Sequence, residues 1–65
     1  MHAEKYPSSP QLLTVRQAAQ LLNVSVSTLY NWVWLRQLPF VKLGRCLRFD
    51  RLELERFVQA NRHSA

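Results

Sequence analysis

The sequence has only one cysteine and one glycine among its 65 residues, and it contains no long apolar run. Because Cys46 stands alone, the chain cannot form an internal disulfide, which excludes the disulfide framework of many small secreted domains. Cys46, His2 and His63 also do not have the spacing of zinc ligands, because both histidines lie near the chain ends. No apolar run approaches the ~20 residues of a membrane span, and the first residues lack the apolar stretch of a signal peptide. We therefore expect a cytoplasmic protein that has no metal, cofactor, membrane partner or small-molecule substrate.

Acidic residues are also scarce. Nine lysines and arginines against four acidic residues give a net charge of +5 at pH 7 and an isoelectric point near 10.4. Such a charge on a small domain indicates a polyanionic partner, most often nucleic acid. A chain of this length rarely builds a substrate cleft and no nucleophile–base pair stands out, so we expect no enzymatic activity. Residues 1–10 are expected to form a flexible leader, residues 11–62 one folded domain and residues 63–65 a frayed tail.

Three capping signals divide the expected domain into helices. Thr14 and Gln17 form a capping box, while Ser25 and Asp50 are each placed to cap a further helix. The helices are expected to end near Leu22, Leu35 and Asn61. Their buried stripes are predicted to be Val15, Ala18, Ala19 and Leu22 in the first helix, Leu29, Trp32 and Val33 in the second, and Leu54, Phe57 and Val58 in the third.

The link between the first two helices is short. Only Asn23 and Val24 separate Leu22 from the Ser25 cap, so the helices must pack at a steep angle. Asn23 also tolerates the left-handed backbone that ends many helices. This spacing is typical of a helix-turn-helix.

A β-hairpin is predicted between the second and third helices. Val41–Leu43 and Leu47–Phe49 alternate apolar and basic residues on either side of Gly44. A two-residue turn would mix the apolar and basic faces, so we favour a three-residue tip of Gly44–Cys46. That register pairs Leu43 with Leu47 and Val41 with Phe49, and it leaves Lys42 beside Arg48 on the other face. The order helix, helix, hairpin, helix predicts a mainly α fold with a small hairpin, a winged helix-turn-helix.

The second helix carries the candidate DNA contacts. Its face opposite the buried stripe bears Ser27, Asn31 and Trp34, flanked by Thr28 and Tyr30. A helix fits the major groove, where an asparagine such as Asn31 can bond the N6/N7 edge of adenine. The candidate recognition-helix residues are Ser25, Val26, Ser27, Thr28, Tyr30, Asn31 and Trp34.

Several of these side chains have an alternative interpretation. The alternative for Ser27, Thr28 and Asn31 is ordinary solvated surface, and the alternative for Tyr30 is packing of its ring on the hairpin with only the hydroxyl exposed. Ser25 can act as a cap alone. Trp34 is expected to fold back onto Pro39 and Phe40 as part of the core, and otherwise to contact the DNA backbone or a neighbouring copy of the chain.

Basic residues cluster around the predicted hairpin. Five of the nine lie within the sixteen positions 36–51, where Asp50 is the only acid. Arg45 at the hairpin tip is suited to a narrow minor groove. The residues expected to contact DNA from the wing, or to contact the DNA backbone, are Arg16, Arg36, Lys42, Arg45 and Arg48.

The pattern across about residues 12–60 resembles the excisionase-type, MerR-like DNA-binding domains. The matching segments are residues 13–15, 18–25, 27–30, 38–39, 41–45 and 48–49. The resemblance implies a second helix in the major groove and a wing on the adjacent minor groove or backbone. It also implies an excisionase, which assists the tyrosine integrase of a phage or transposon and binds double-stranded DNA beside copies of itself. A short transcriptional regulator and a protein-interaction adaptor are the alternatives.

The chain departs from this family at five positions. The family usually has basic residues at the positions of Val26 and Asn31 and a glycine at that of Arg36. It usually has polar or basic residues at the positions of Trp34 and Leu35. These differences imply altered base readout, a strained or altered helix exit, or a surface for protein contact.

Overall fold

A computed structural model describes residues 11–63 of the chain, so the expected leader at residues 1–10 and part of the expected tail lie outside the described residues. The elements, in order, are β1 (Leu12–Leu13), α1 (Val15–Leu22), α2 (Val26–Trp34), β2 (Val41–Leu43), β3 (Cys46–Asp50) and α3 (Arg51–Ala60). The strands form an antiparallel sheet in the order β1-β3-β2. This arrangement confirms the predicted winged helix-turn-helix.

The predicted caps begin the helices as expected. The Thr14 hydroxyl accepts from the Gln17 amide and the Gln17 side chain accepts from the Thr14 amide, which completes the capping box of α1. Ser25 Oγ accepts from the Thr28 amide at the start of α2, and Asp50 Oδ1 accepts from the Leu52 amide at the start of α3. Each cap therefore satisfies a backbone donor that the helix itself leaves unpaired.

Both helices of the helix-turn-helix end on a left-handed residue. Asn23 has φ 58° and Arg36 has φ 60°. After α2, the amide of Gln37 donates to the carbonyl of Trp32 at 2.9 Å, and the amide of Arg36 donates to the carbonyl of Val33 at 3.0 Å. This is the Schellman arrangement, which favours glycine at the left-handed position. Arg36 therefore holds a strained backbone conformation, one of the two outcomes expected from its place in the sequence.

The predicted register of the hairpin is wrong. Val41 lies opposite Arg48, Lys42 opposite Leu47 and Leu43 opposite Cys46, across a two-residue turn of Gly44 and Arg45. Gly44 has φ +61° and Arg45 does not have a positive φ, as a type II′ turn requires. Such a turn follows the natural twist of the two strands.

The register changes the neighbours of the basic residues. Residues that lie opposite each other share a face of the sheet, so Lys42 lies on the face of Leu47. Arg48 lies on the other face, opposite Val41, and it donates from Nη1 to the carbonyl of Leu47 at 2.8 Å. The expected like-charge pair of Lys42 and Arg48 is therefore not formed.

Strand β1, which the sequence analysis did not predict, explains why the apolar residues of the hairpin need not share one face. Leu13 pairs with Phe49, so β3 is the central strand and the core lies on its Leu47 and Phe49 side. Phe49 is fully buried by the sheet and helices around it. Strand β2 is at an edge, where Val41 and Leu43 lie on the opposite face and remain partly or largely exposed.

The core lies between the three helices and the sheet. Two small residues of α1, Ala18 and Ala19, are buried, and α1 packs against α2, β3 and α3. Trp32 and Phe57 pack with their ring centroids 5.4 Å apart. The buried residues are Leu13, Ala18, Ala19, Leu29, Leu38, Phe49 and Leu54. Val58 was expected in the core but is exposed, because α3 leaves residues 58–60 of its last turn in solvent.

Candidate nucleic-acid interface

The exposed surface of α2 begins with two linked hydroxyls. Ser25 Oγ donates to Thr28 Oγ1 at 2.9 Å and accepts from the Thr28 amide at 3.0 Å. The cap function of Ser25 is therefore confirmed. The Thr28 hydroxyl proton remains able to donate to a ligand at this end of α2, where the helix dipole also favours an anion.

The face of α2 opposite the core is open to solvent. Ser27, Asn31 and Tyr30 are exposed, and together with Thr28 and Trp34 they line a shallow depression. These predicted residues therefore share one exposed surface, whose hydroxyl and amide groups are of the kind that bond base edges and phosphates.

Trp34 is not part of the core. The sequence favours packing against Pro39 and Phe40, but the side chain is 80% exposed. The reason is its angular position: the buried Leu29 and half-buried Val33 lie on the inner side of α2, and Trp34 follows one residue, or about 100°, later. Phe40 is partly buried against the core.

A cleft separates α2 from the hairpin. Its volume is about 480 Å³, and its lining combines three cations with apolar and aromatic side chains. The cations are Arg36, Lys42 and Arg45. The other lining residues are Tyr30, Val33, Trp34, Phe40 and Leu47. None of these lining residues is acidic, so the cleft is a positively charged surface with an apolar floor.

The register of the hairpin produces this cleft. Lys42 lies on the face of Leu47, so its aliphatic stem can cover apolar surface while its ammonium group stays in water. The half-buried side chains of Val33, Phe40 and Leu47 were not predicted as part of a site. They face the cleft through the pairing of Lys42 with Leu47, a register that no local sequence pattern identified.

The remaining candidate cations lie elsewhere. Arg16 is exposed on α1 and does not line the cleft, and Arg48 lies on the other face of the hairpin. Arg51, which belongs to the basic cluster in the sequence, pairs with Glu55 at 3.3 Å; within residues 11–63 this is the one ion pair. Arg36, Lys42 and Arg45 therefore carry charge that no described acidic side chain neutralises.

Residues 11–63 contain no group of three His, Cys, Asp or Glu side chains that could hold a metal ion. None of the helices formed by these residues is long and apolar enough to cross a membrane.

Comparisons with known proteins agree with the observed fold. A model of the helix-turn-helix domain family matches residues 12–62. The chain is 40% identical over 60 residues to the transcriptional repressor DcmR of Methylorubrum extorquens (strain DSM 6343 / CIP 106787 / DM4). That alignment covers 89% of this chain but only 23% of the relative, so the chain spans less than a quarter of the length of that protein. No solved structure matches the chain significantly.

Proposed function

This chain belongs to the helix-turn-helix domain family, and from that premise we propose that it binds double-stranded DNA in a sequence-specific manner. Helix α2 is the recognition helix and the hairpin β2–β3 is the wing. The observation that carries the proposal is the shared cleft, in which Tyr30 and Trp34 of α2 and Lys42 and Arg45 of the wing line one surface. Polar groups for base edges and cations for phosphates therefore lie side by side.

The dimensions of α2 suit the major groove. An α-helix with its side chains is about 10–12 Å in diameter, and the major groove is about 12 Å wide. With α2 inserted, the amide of Asn31 can donate to N7 and accept from N6 of an adenine. Ser27 and Thr28 can bond neighbouring phosphates or base edges. The cations of the wing then contact the phosphates of the DNA strand that borders the groove beside α2.

We propose a binding role without catalysis. Asp50 caps α3 and Glu55 pairs with Arg51, so two of the described carboxylates have structural partners. Binding to DNA also agrees with the cytoplasmic location expected from the sequence.

We propose that this DNA binding serves transcriptional regulation. The support is the name of the relative, a transcriptional repressor, although the alignment reaches only 23% of that protein. The excisionase role implied by the sequence resemblance, with an integrase and neighbouring copies as partners, is the competing proposal. An excision assay distinguishes the two, with a tyrosine integrase if a neighbouring reading frame encodes one, because a regulator changes transcription without changing recombination.

Salt dependence of binding tests the proposed function. If three to five phosphates are contacted, a plot of log K against log salt concentration has a slope of about −3 to −5. Fluorescence anisotropy of a labelled duplex measures this slope. An affinity that stays flat between low and physiological salt would overturn the proposal.

A further inference from the structure

Trp34 occupies a position between two parts of the candidate interface. It lines the shallow depression of Ser27 and Asn31, and it also lines the cationic cleft with Lys42 and Arg45. Its side chain is 80% exposed. A large aromatic side chain gains stability chiefly by burial, so an indole left in water on a recognition face has apolar surface available for a ligand.

The helical spacing places Trp34 close to Asn31. Three residues turn the helix by about 300°, so the two side chains lie within about 60° of each other around α2. They are separated by about 4.5 Å along the helix axis, against a rise of about 3.4 Å per base pair. If Asn31 bonds a base edge, Trp34 meets the groove one to two base pairs away.

The chemistry of the indole limits what it can recognise there. Base edges in the major groove present hydrogen-bond donors, acceptors and one apolar group, the C5-methyl of thymine. That methyl group projects towards the sugar–phosphate backbone of its own strand. Trp34 lies between the polar face of α2 and the cations suited to phosphates, which matches this location in the groove.

From these observations we propose that Trp34 determines sequence specificity through apolar contact with the C5-methyl group of a thymine. The proposal rests on the proposed DNA-binding function. It assigns the thymine one to two base pairs from the base contacted by Asn31. The deoxyribose of the backbone and a second copy of this chain are the competing occupants of the exposed indole.

Deoxyuridine substitution tests this contact, because deoxyuridine differs from thymidine only by the missing methyl group. The full chain first selects a high-affinity duplex from a random library. Each thymidine of that duplex is then replaced in turn, and the dissociation constants of wild type, Trp34→Ala and Leu35→Ala are measured. Leu35 is the control because it is also exposed but lies about 100° around the helix and lines neither surface.

We expect one replacement to weaken binding of wild type and of Leu35→Ala about fourfold, which corresponds to one buried methyl group. The same replacement should leave binding by Trp34→Ala unchanged. If wild type is insensitive to every replacement, or if Trp34→Ala responds as wild type does, the thymine contact is wrong. A loss for Trp34→Ala that is equal on all sequences indicates a sugar contact and also overturns it. A wild-type chain that binds no duplex overturns the proposed function itself, which separates the two failures.

Discussion

Lys42 lies directly opposite Leu47 in the hairpin, and this pairing turns the lysine towards the cleft beside α2. The alternative pairing of Lys42 with Arg48 would have put both charges on the far face of the wing. The observed register therefore decides which cations can act together with the recognition helix. Arg45, at the turn, completes the cationic side of the cleft.

The first prediction compares Lys42 with Arg48. Lys42→Ala should weaken binding to all duplexes and reduce the magnitude of the salt slope by about 0.9, since one phosphate contact is lost. Arg48→Ala removes the same charge from the opposite face and should leave the slope nearly unchanged. Anisotropy titrations at several salt concentrations measure both slopes. The opposite result, in which Arg48 alone affects the slope, would mean that the far face of the wing contacts DNA.

The second prediction concerns base readout by Asn31. Asn31→Ala should reduce the preference for the selected duplex over duplexes changed at one base pair, by about 1–3 kcal/mol at that position. The salt slope should not change, because no charge is lost. Gln20→Ala is a matched control, as it removes an exposed amide from α1. If the two variants discriminate sequences equally well, Asn31 does not read a base.

The third prediction uses the strained exit of α2. Arg36→Gly should stabilise the fold by about 1 kcal/mol, because glycine adopts a positive φ without the cost that a side chain incurs. The melting temperature should rise by about 4–8 °C for a domain of this size. Asn23→Gly is the control at the other left-handed position and should change stability little, since asparagine tolerates that backbone. Equal effects of the two variants in thermal denaturation would show that Arg36 carries no special strain.

The fourth prediction separates the two tryptophans. Trp32 packs on Phe57 with their ring centroids 5.4 Å apart and is half-buried, so Trp32→Ala should destabilise the domain by about 3 kcal/mol, the lower end for a core tryptophan. Trp34→Ala should change the free energy of unfolding by less than about 0.5 kcal/mol, because the side chain is 80% exposed. Urea denaturation followed by circular dichroism measures both values. A large loss for Trp34→Ala would place that indole in the core after all.

The helices could be predicted from the sequence because their signals are local. Thr14, Ser25 and Asp50 each accept a hydrogen bond from a backbone amide two or three residues away, so each cap depends only on residues that are close in sequence. The left-handed conformation of Asn23 at the end of α1 is likewise predicted from the residue type and its position alone. These features fixed the helix-turn-helix and therefore the exposed face of α2.

The hairpin register and the place of Trp34 depend on longer-range contacts. Strand β1 has two residues, too few for a periodic pattern, and its pairing with Phe49 decides which face of β3 is buried. Without β1, the apolar residues of the hairpin seemed to require one common face. The helical spacing places Trp34 on the polar face of α2, but whether Pro39 and Phe40 cover it depends on the path of the chain after α2, which no local pattern specifies. The cleft could not be predicted because its lining depends on both the hairpin register and the exposed position of Trp34.

The central claim is that α2 and the wing bind duplex DNA as one surface. The most direct test is a titration of the isotope-labelled chain with duplex DNA, followed by amide NMR spectra. We expect the signals of Ser27, Asn31 and Arg45 to shift together, while those of Gln59 and Ala60 at the end of α3 stay in place. Unmoved signals at Ser27, Asn31 and Arg45 in the presence of saturating DNA would contradict it.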